Sequence, residues 1–473
     1  FTALAGARLY GAGAGLAAGG LLGVSVLLGS EAGIAKTDAA LAACVALSFL
    51  AFVALRLGAE QTDPVRRRGA GRAWAVIWWT AVGLGALIKG PVAPMSAGLA
   101  VIALCALERR IDWARPLAFW PGPLAGAAVV LPWLIAVEMS GAGFLADALS
   151  GDLGPKIVSG DEGHGAPPGL HMVLLPLLMF PAIALLPAGV RAAVKDWRAS
   201  RAPVARSAGL AARLCICFAA PTWLAFELMP TKLPHYVLPA YPALAVLAGL
   251  GLSRLGETSR LWAGLGAGLI LSAALVYAAG LHLLAAQYGA APGLVYTTAA
   301  AILATAAGAA IMVWLRRPAG ALSGLVLAGL VWHAGARGAA APSARDLFLS
   351  PPAAAAAADL RASAPIAPLI STYTEPSFAF LSGGDLTLTS PEALSAGLTA
   401  PSAGAVYVID RARWYEGAQD ADERDRRDAA LAALEAEACA ARTVDGLNYS
   451  RGQRTQLRIL RTACPAAPQG DNP

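Results

Sequence analysis

Charge is scarce in this sequence. Asp, Glu, Lys and Arg make up 14% of its 473 residues, against 57% hydrophobic residues and a mean hydropathy of +0.59. A soluble chain of this length does not keep so little charge, so the composition is that of a polytopic membrane protein. Lysine is scarcer still, with five against 31 arginines. The arginines fall in short clusters between apolar runs, the pattern of cytoplasmic loops, so the net charge of +6 reports topology and not nucleic-acid binding.

Cysteine is also sparse, and its six positions show no metal-ligand spacing. Cys215 and Cys217 stand two apart in an apolar helix and point to nearly opposite sides. Cys439 and Cys464 lie in a polar tail and are expected to form a disulfide if that tail is outside the cytoplasm. His164 and His235 are too isolated to make a metal site. The chain starts at Phe1, in or beside an apolar segment, without a charged n-region and cleavage site, and is expected to be N-terminally incomplete.

Eleven apolar runs approach the ~17–25 residues that a bilayer demands: 9–29, 37–55, 73–88, 91–107, 117–137, 170–190, 209–228, 236–252, 261–284, 294–315 and 320–341. Arg66, Arg67, Arg68 and Arg72 precede the third and fourth runs, and Arg109, Arg110 and Arg115 follow them. Both flanks therefore read as cytoplasmic, and continuing the alternation leaves the C-terminal tail outside. Gly11 to Gly20 is apolar and has neither a preceding strand nor a GK[ST] ending, so its small residues are read as helix-packing positions.

From 342 the composition changes. Prolines and an alanine run lead into strand-like segments at 369–373, 377–381 and 405–409, a charged helix at 421–441 and a strand pair at 447–460. The expected fold is an all-α polytopic membrane protein of about eleven helices over 1–341, followed by a small C-terminal α/β domain over 342–473.

The chemistry-bearing residues collect at the ends of the apolar runs opposite the arginines. Lys36, Lys89, Lys156 and Lys232 each fall there. In a chain that otherwise uses arginine, these compact charges point to an anion, although lysines near a membrane surface also snorkel. The polar stretch 151–169 adds Asp152, Asp161, Glu162 and His164, which suits a sugar or phosphate ligand and equally suits a solvated loop closed by Pro167 and Pro168. Asp38 opens an apolar helix, either as its cap or as an acid facing a cavity. His235 and Tyr236 stand near Lys232 at another helix start, where both also fit a membrane interface.

Five segments together carry a family resemblance: TDAALAA at 37–43, GLGALIKGPVAP at 83–94, SGDEGHGAPPG at 159–169, TKLPHYVLPAYPALA at 231–245 and GLNYSRG at 446–452. They resemble the bacterial branch of the protein-mannosyltransferase and lipid A aminoarabinose-transferase superfamily, membrane glycosyltransferases of the GT-C class. The resemblance implies a polyprenyl-phosphate-linked sugar as donor, and a lipid or protein hydroxyl as acceptor. It places transfer on the periplasmic face of a bacterial inner membrane, with the C-terminal domain on that side. A carboxylate deprotonates or orients the acceptor, the anomeric carbon is displaced in one step, and cations hold the departing phosphate.

On that basis Asp38 is the candidate catalytic acid, and Lys36, Lys89, Lys156 and Lys232 are candidate phosphate ligands. Glu162, His164, His235 and Tyr236 are candidate sugar or acceptor contacts. The family's principal acidic loop is expected upstream of Phe1. No cofactor is implied, and a divalent metal stays open. Two other readings fit the helices and charges: a polyprenyl-lipid transporter, and a non-catalytic member that binds lipid-linked sugar. The transporter reading finds no internal repeat to support it.

Overall fold

The structure, a computed structural model, describes all residues except 142, 149, 151–165, 200–205, 363–366, 398–403, 419, 449–451 and 463–473. The chain forms two compact units. The first is Phe1–Leu281 with Tyr296–Ala339, and the second is His282–Val295 with Ala340–Pro473.

The first unit is helical, as a chain in lipid must be when each backbone N–H and C=O needs a partner within its own segment. Among the described residues, eight helices are long and apolar enough to cross a membrane, and a bent pair makes nine if it is one span. The chain is a multi-pass membrane protein.

The bent pair replaces the first expected run. Gly11, at φ 90°, separates α1 (Thr2–Tyr10) from α2 (Ala12–Gly23), and α2 meets α3 (Val26–Ala32) at 54°. Gly15 lies so close to α1 that a Cβ there would sit 2.3 Å from the Ala3 carbonyl. α4 (Asp38–Gly58) follows, then α5 (Pro64–Lys89) and α6 (Val92–Glu108). α5 is longer than the apolar run at 73–88 suggested. Asp63 caps it by accepting from Val65 and Arg66 N–H, and Pro64 is pre-set for its first turn.

Two further passes of the eleven expected come out differently. α6 has only 17 residues. The run at 170–190 breaks into Leu170–Leu178, a 3-10 turn at Ala182–Ala184 and Leu186–Ala199, because Pro176 and Pro181 lack the N–H that an unbroken helix needs. α7 (Pro121–Met139) and helices Arg206–Leu228 and Tyr241–Ser253 complete the surroundings of the site. Gly189 and Gly251 let Leu186–Ala199 and Tyr241–Ser253 touch backbone to backbone, since a Cβ at Gly189 would fall 1.8 Å from the Leu247 carbonyl.

The second unit is a five-stranded sheet in the order β2-β1-β3-β5-β4. β1 (Leu369–Ser371) is parallel to β2 (Thr387–Leu388) and β3 (Val406–Asp410). β5 (Gln453–Thr462) is antiparallel to β3 and to β4 (Ala438–Asn448). Strand alternation divides β3 between two cores. Val406 and Val408 pack with Ala353, Ala357 and Leu360 of helix Ser350–Arg361, while Tyr407 and Ile409 pack with Leu431 and Leu434 of helix Ala421–Glu437.

Two local expectations are corrected here. Residues 377–381 form a helix, Pro376–Leu381, because Pro376 starts it and Gly383 and Gly384, at φ 74° and 76°, follow its end. The charged helix stops at Glu437, and Ala438–Asn448 is strand. Cross-strand pairing of Ala440 with Arg461 and Ala441 with Leu460 outweighs the helix preference of alanine.

Candidate functional site

Three helix ends meet at one end of the first unit. α4 begins with Asp38, α5 finishes with Lys89, and a 3-10 turn at Pro234–Ala240 carries His235 and Tyr236. Asp38 is buried, and its Oδ1 accepts from Lys89 Nζ at 2.5 Å. The Asp38 carboxylate is thus committed to a cation on a neighbouring helix; no side-chain bond caps α4. Lys89 Nζ also lies 6.0 Å from the centre of the Tyr236 ring.

His235 stands between two acids. Its Nδ1 is 3.8 Å from Glu31 Oε1 and its Nε2 is 3.9 Å from Asp38 Oδ2, beyond direct hydrogen bonding. Asp38, Lys89, His235 and Tyr236 open on a cavity of about 680 Å³ whose apolar wall includes Trp133 and Phe226. That combination of a large apolar volume with a few converging polar groups is how small-molecule sites are generally built. Trp133 is braced edge-on by Phe144, with ring centroids 5.1 Å apart.

The other expected residues are placed differently. Lys36 is exposed on the turn before α4. Lys232 is buried, and its Nζ donates to the Met229 carbonyl at 2.5 Å, satisfying a group left over at the end of helix Arg206–Leu228. Lys156, Glu162 and His164 lie outside the described residues. Cys439 is in β4, and Cys464 lies outside the described residues. Among the described residues, no group of three or more His, Cys, Asp or Glu side chains is placed to hold a metal ion.

Sequence reasoning missed a second cluster beside the first. His171 is fully buried, with Nδ1 at 2.9 Å from Glu227 Oε2 and Nε2 at 3.0 Å from the Leu233 carbonyl. Glu227 Oε1 also accepts the Gly169 N–H. The available signal was Glu227 itself, a lone carboxylate within an apolar helix, which is costly in a membrane and therefore needs a partner. Glu31 was a further signal of the same kind, and its Oε2 is buried with no hydrogen-bond partner among the described residues.

No family model matches the chain. Two curated proteins, both named undecaprenyl phosphate-alpha-4-amino-4-deoxy-L-arabinose arabinosyl transferase, are similar to parts of it. That of Pectobacterium carotovorum subsp. carotovorum (strain PC1) is 28% identical over 191 residues, 40% of this chain. That of Erwinia tasmaniensis is 27% identical over 168 residues, 35% of this chain. The matched stretches span 32% and 28% of those relatives' lengths. The solved structure of ArnT from Cupriavidus metallidurans bound to undecaprenyl phosphate superposes over 98% of this chain and 82% of its own, with a TM-score of 0.64 at 19% identity. The apo form gives 0.63 at 17%. The chain has the ArnT fold.

Within the ArnT fold, the ends of α4, α5 and α6 separate two charged sites. Asp38 and Lys89 lie at one end. At the other, Arg56 donates to both carboxylate oxygens of Glu108 at 2.8 and 3.2 Å, with Arg213 3.5 Å away. From Asp38 to Arg56 is about 27 Å of helix at ~1.5 Å per residue, close to the ~30 Å of a bilayer's hydrocarbon core. Beyond the Arg56 end, Arg110 donates to Asp112 at 2.8 and 2.6 Å and holds its carboxyl down at about 2. The cavity therefore lies at the end of these helices opposite the arginine-rich turns.

Proposed function

We propose that this chain is a membrane glycosyltransferase that moves a sugar from a polyprenyl-phosphate donor to a lipid or protein hydroxyl on the periplasmic face of a bacterial inner membrane. The observation that carries the reading is the Asp38–Lys89 pair at the mouth of the cavity, with an acid and a cation 2.5 Å apart. Support comes from the ArnT fold and from the similar structure of ArnT from Cupriavidus metallidurans, which was solved bound to undecaprenyl phosphate.

In the proposed reaction, Asp38 accepts the proton of the acceptor hydroxyl. The hydroxyl oxygen forms a bond to the anomeric carbon as the bond from that carbon to the phosphate oxygen breaks. The electron pair leaves with the phosphate, whose growing charge Lys89 stabilises. Lys36 and Lys156 are assigned to the donor phosphate or its path, whereas Lys232, which the sequence also offered for that role, is held by the Met229 carbonyl and is assigned to the structure of the turn. Glu162, His164, His235 and Tyr236 are assigned to orienting the sugar or acceptor. The cavity's aromatic and aliphatic wall suits the first units of a polyprenyl chain.

The test is to reconstitute the chain in vesicles with a mixed pool of polyprenyl-phosphate-linked sugars and follow sugar-free polyprenyl phosphate by mass spectrometry. Its release, with a matching mass gain on an acceptor, is the expected result. Movement of intact donor across the bilayer without release would identify a transporter instead.

A further inference from the structure

The His171–Glu227 pair lies outside the proposed chemistry, yet both residues are buried and both are hydrogen-bonded. Burying a carboxylate and an imidazole near the end of a membrane helix is costly, and nothing in helix packing alone requires it. Their bonds lead to one place. The Leu233 carbonyl accepts from His171 Nε2 at 3.0 Å and also from the Tyr236 N–H at 3.0 Å. That second bond closes the turn on which His235 and Tyr236 stand. One carbonyl, using both lone pairs, therefore ties the buried pair to the wall of the cavity.

The proton count makes the tie directional. Leu233 O can only accept, so His171 Nε2 carries a hydrogen. Nδ1 then faces Glu227 Oε2 across a single shared proton, while Glu227 Oε1 takes the Gly169 N–H. Trp223 packs edge-on against the imidazole, with centroids 6.3 Å apart, and limits its rotation. Glu227 thus fixes the ring, the ring fixes the Leu233 carbonyl, and the carbonyl fixes the turn.

We propose that Glu227 and His171 are positioning residues, which hold the Leu233–Tyr236 turn so that His235 and Tyr236 face the sugar of the bound donor. The proposal rests on the glycosyltransferase reading above and names residues that serve its site without touching substrate. It distinguishes two kinds of loss. Disturbing the pair should impair handling of the sugar but leave the phosphate end, held at Lys89, intact.

The experiment uses the whole chain in vesicles, with Glu227→Ala, Glu227→Gln and His171→Ala normalised to folded protein by size-exclusion chromatography. Glu227→Ala should lower sugar transfer tenfold or more, while binding of sugar-free undecaprenyl phosphate stays within about twofold. Glu227→Gln should recover most of the transfer, since its amide can donate to Nδ1 and accept from Gly169. In a His235→Ala background, Glu227→Ala should add little, because the two act through the same turn. Additive losses, or equal losses of transfer and undecaprenyl phosphate binding, would make the pair a general packing element and overturn the proposal.

A readout independent of catalysis separates this proposal from the functional one. With 15N-labelled histidine, Glu227→Ala should move the imidazole signals of both His171 and His235. A His235 signal that does not move overturns the positioning role even if the unmodified chain transfers no sugar.

Discussion

Asp38 and Lys89 are 51 residues apart in sequence and 2.5 Å apart in space, joined where α4 begins and α5 ends. Each answers a need of the other. The carboxylate is buried, and an ionised acid there requires a cation, while the ammonium stays partly exposed to the cavity, where an anion can reach it.

The acid is tested by Asp38→Asn, which keeps the volume and a hydrogen-bonding oxygen but removes the charge. Transfer should fall by about 10²–10⁴-fold, the usual share of a general base, with folded yield close to that of the unmodified chain. Steady-state transfer rates per folded protein make the comparison. Activity retained in Asp38→Asn would remove this residue from the reaction.

For Lys89→Ala, the loss should be about a hundredfold or more in transfer, as expected where a group stabilises developing charge on a phosphate oxygen. Binding of sugar-free undecaprenyl phosphate should weaken as well. Unchanged binding would mean that the phosphate is held elsewhere.

Lys232 is expected to behave otherwise. Its ammonium is already used by the Met229 carbonyl, next to the turn that carries His235. Lys232→Ala should therefore lower folded yield and transfer together. Full yield with selective loss of donor binding would show that the ammonium leaves that carbonyl for the phosphate.

At the opposite end of the helices, Arg56 and Glu108 are both nearly enclosed, with side-chain exposures of 5% each. Glu108→Ala leaves Arg56 with Glu60 alone, 2.6 Å away, so it should destabilise the helical unit by less than the ~3–5 kcal/mol of a wholly stranded buried charge. Denaturation in detergent would measure it. Replacing both residues with apolar ones should cost much less, and a double loss as large as the single one would contradict this account.

The sequence carried the class of fold plainly, because low charge, apolar runs of bilayer length and arginine-rich turns all follow from the membrane as solvent. Asp38, Lys89, His235 and Tyr236 were legible as individuals, since polar groups at apolar-run ends stand out. Their meeting was not, because it depends on how α4, α5 and the Pro234–Ala240 turn converge. His171 and Glu227 are 56 residues apart and follow no spacing rule, so only the folded chain pairs them. The break at 170–190 was visible in Pro176 and Pro181 but was hidden by the hydropathy of its neighbours. In the second unit, the apolar strand-like run at 405–409 located β3 to within one residue, whereas the alanine-rich stretch at 438–441 concealed the start of β4 until pairing with β5 decided it.

The most direct test of the central claim compares the unmodified chain with Asp38→Asn in vesicles holding a mixed pool of polyprenyl-phosphate-linked sugars with lipid and protein acceptors. Mass spectrometry then follows released polyprenyl phosphate and glycosylated acceptor in the same sample. The account predicts both products in equal amounts from the unmodified chain and almost none from Asp38→Asn. Equal product from the two chains, or donor consumed with no acceptor gaining mass, would contradict it.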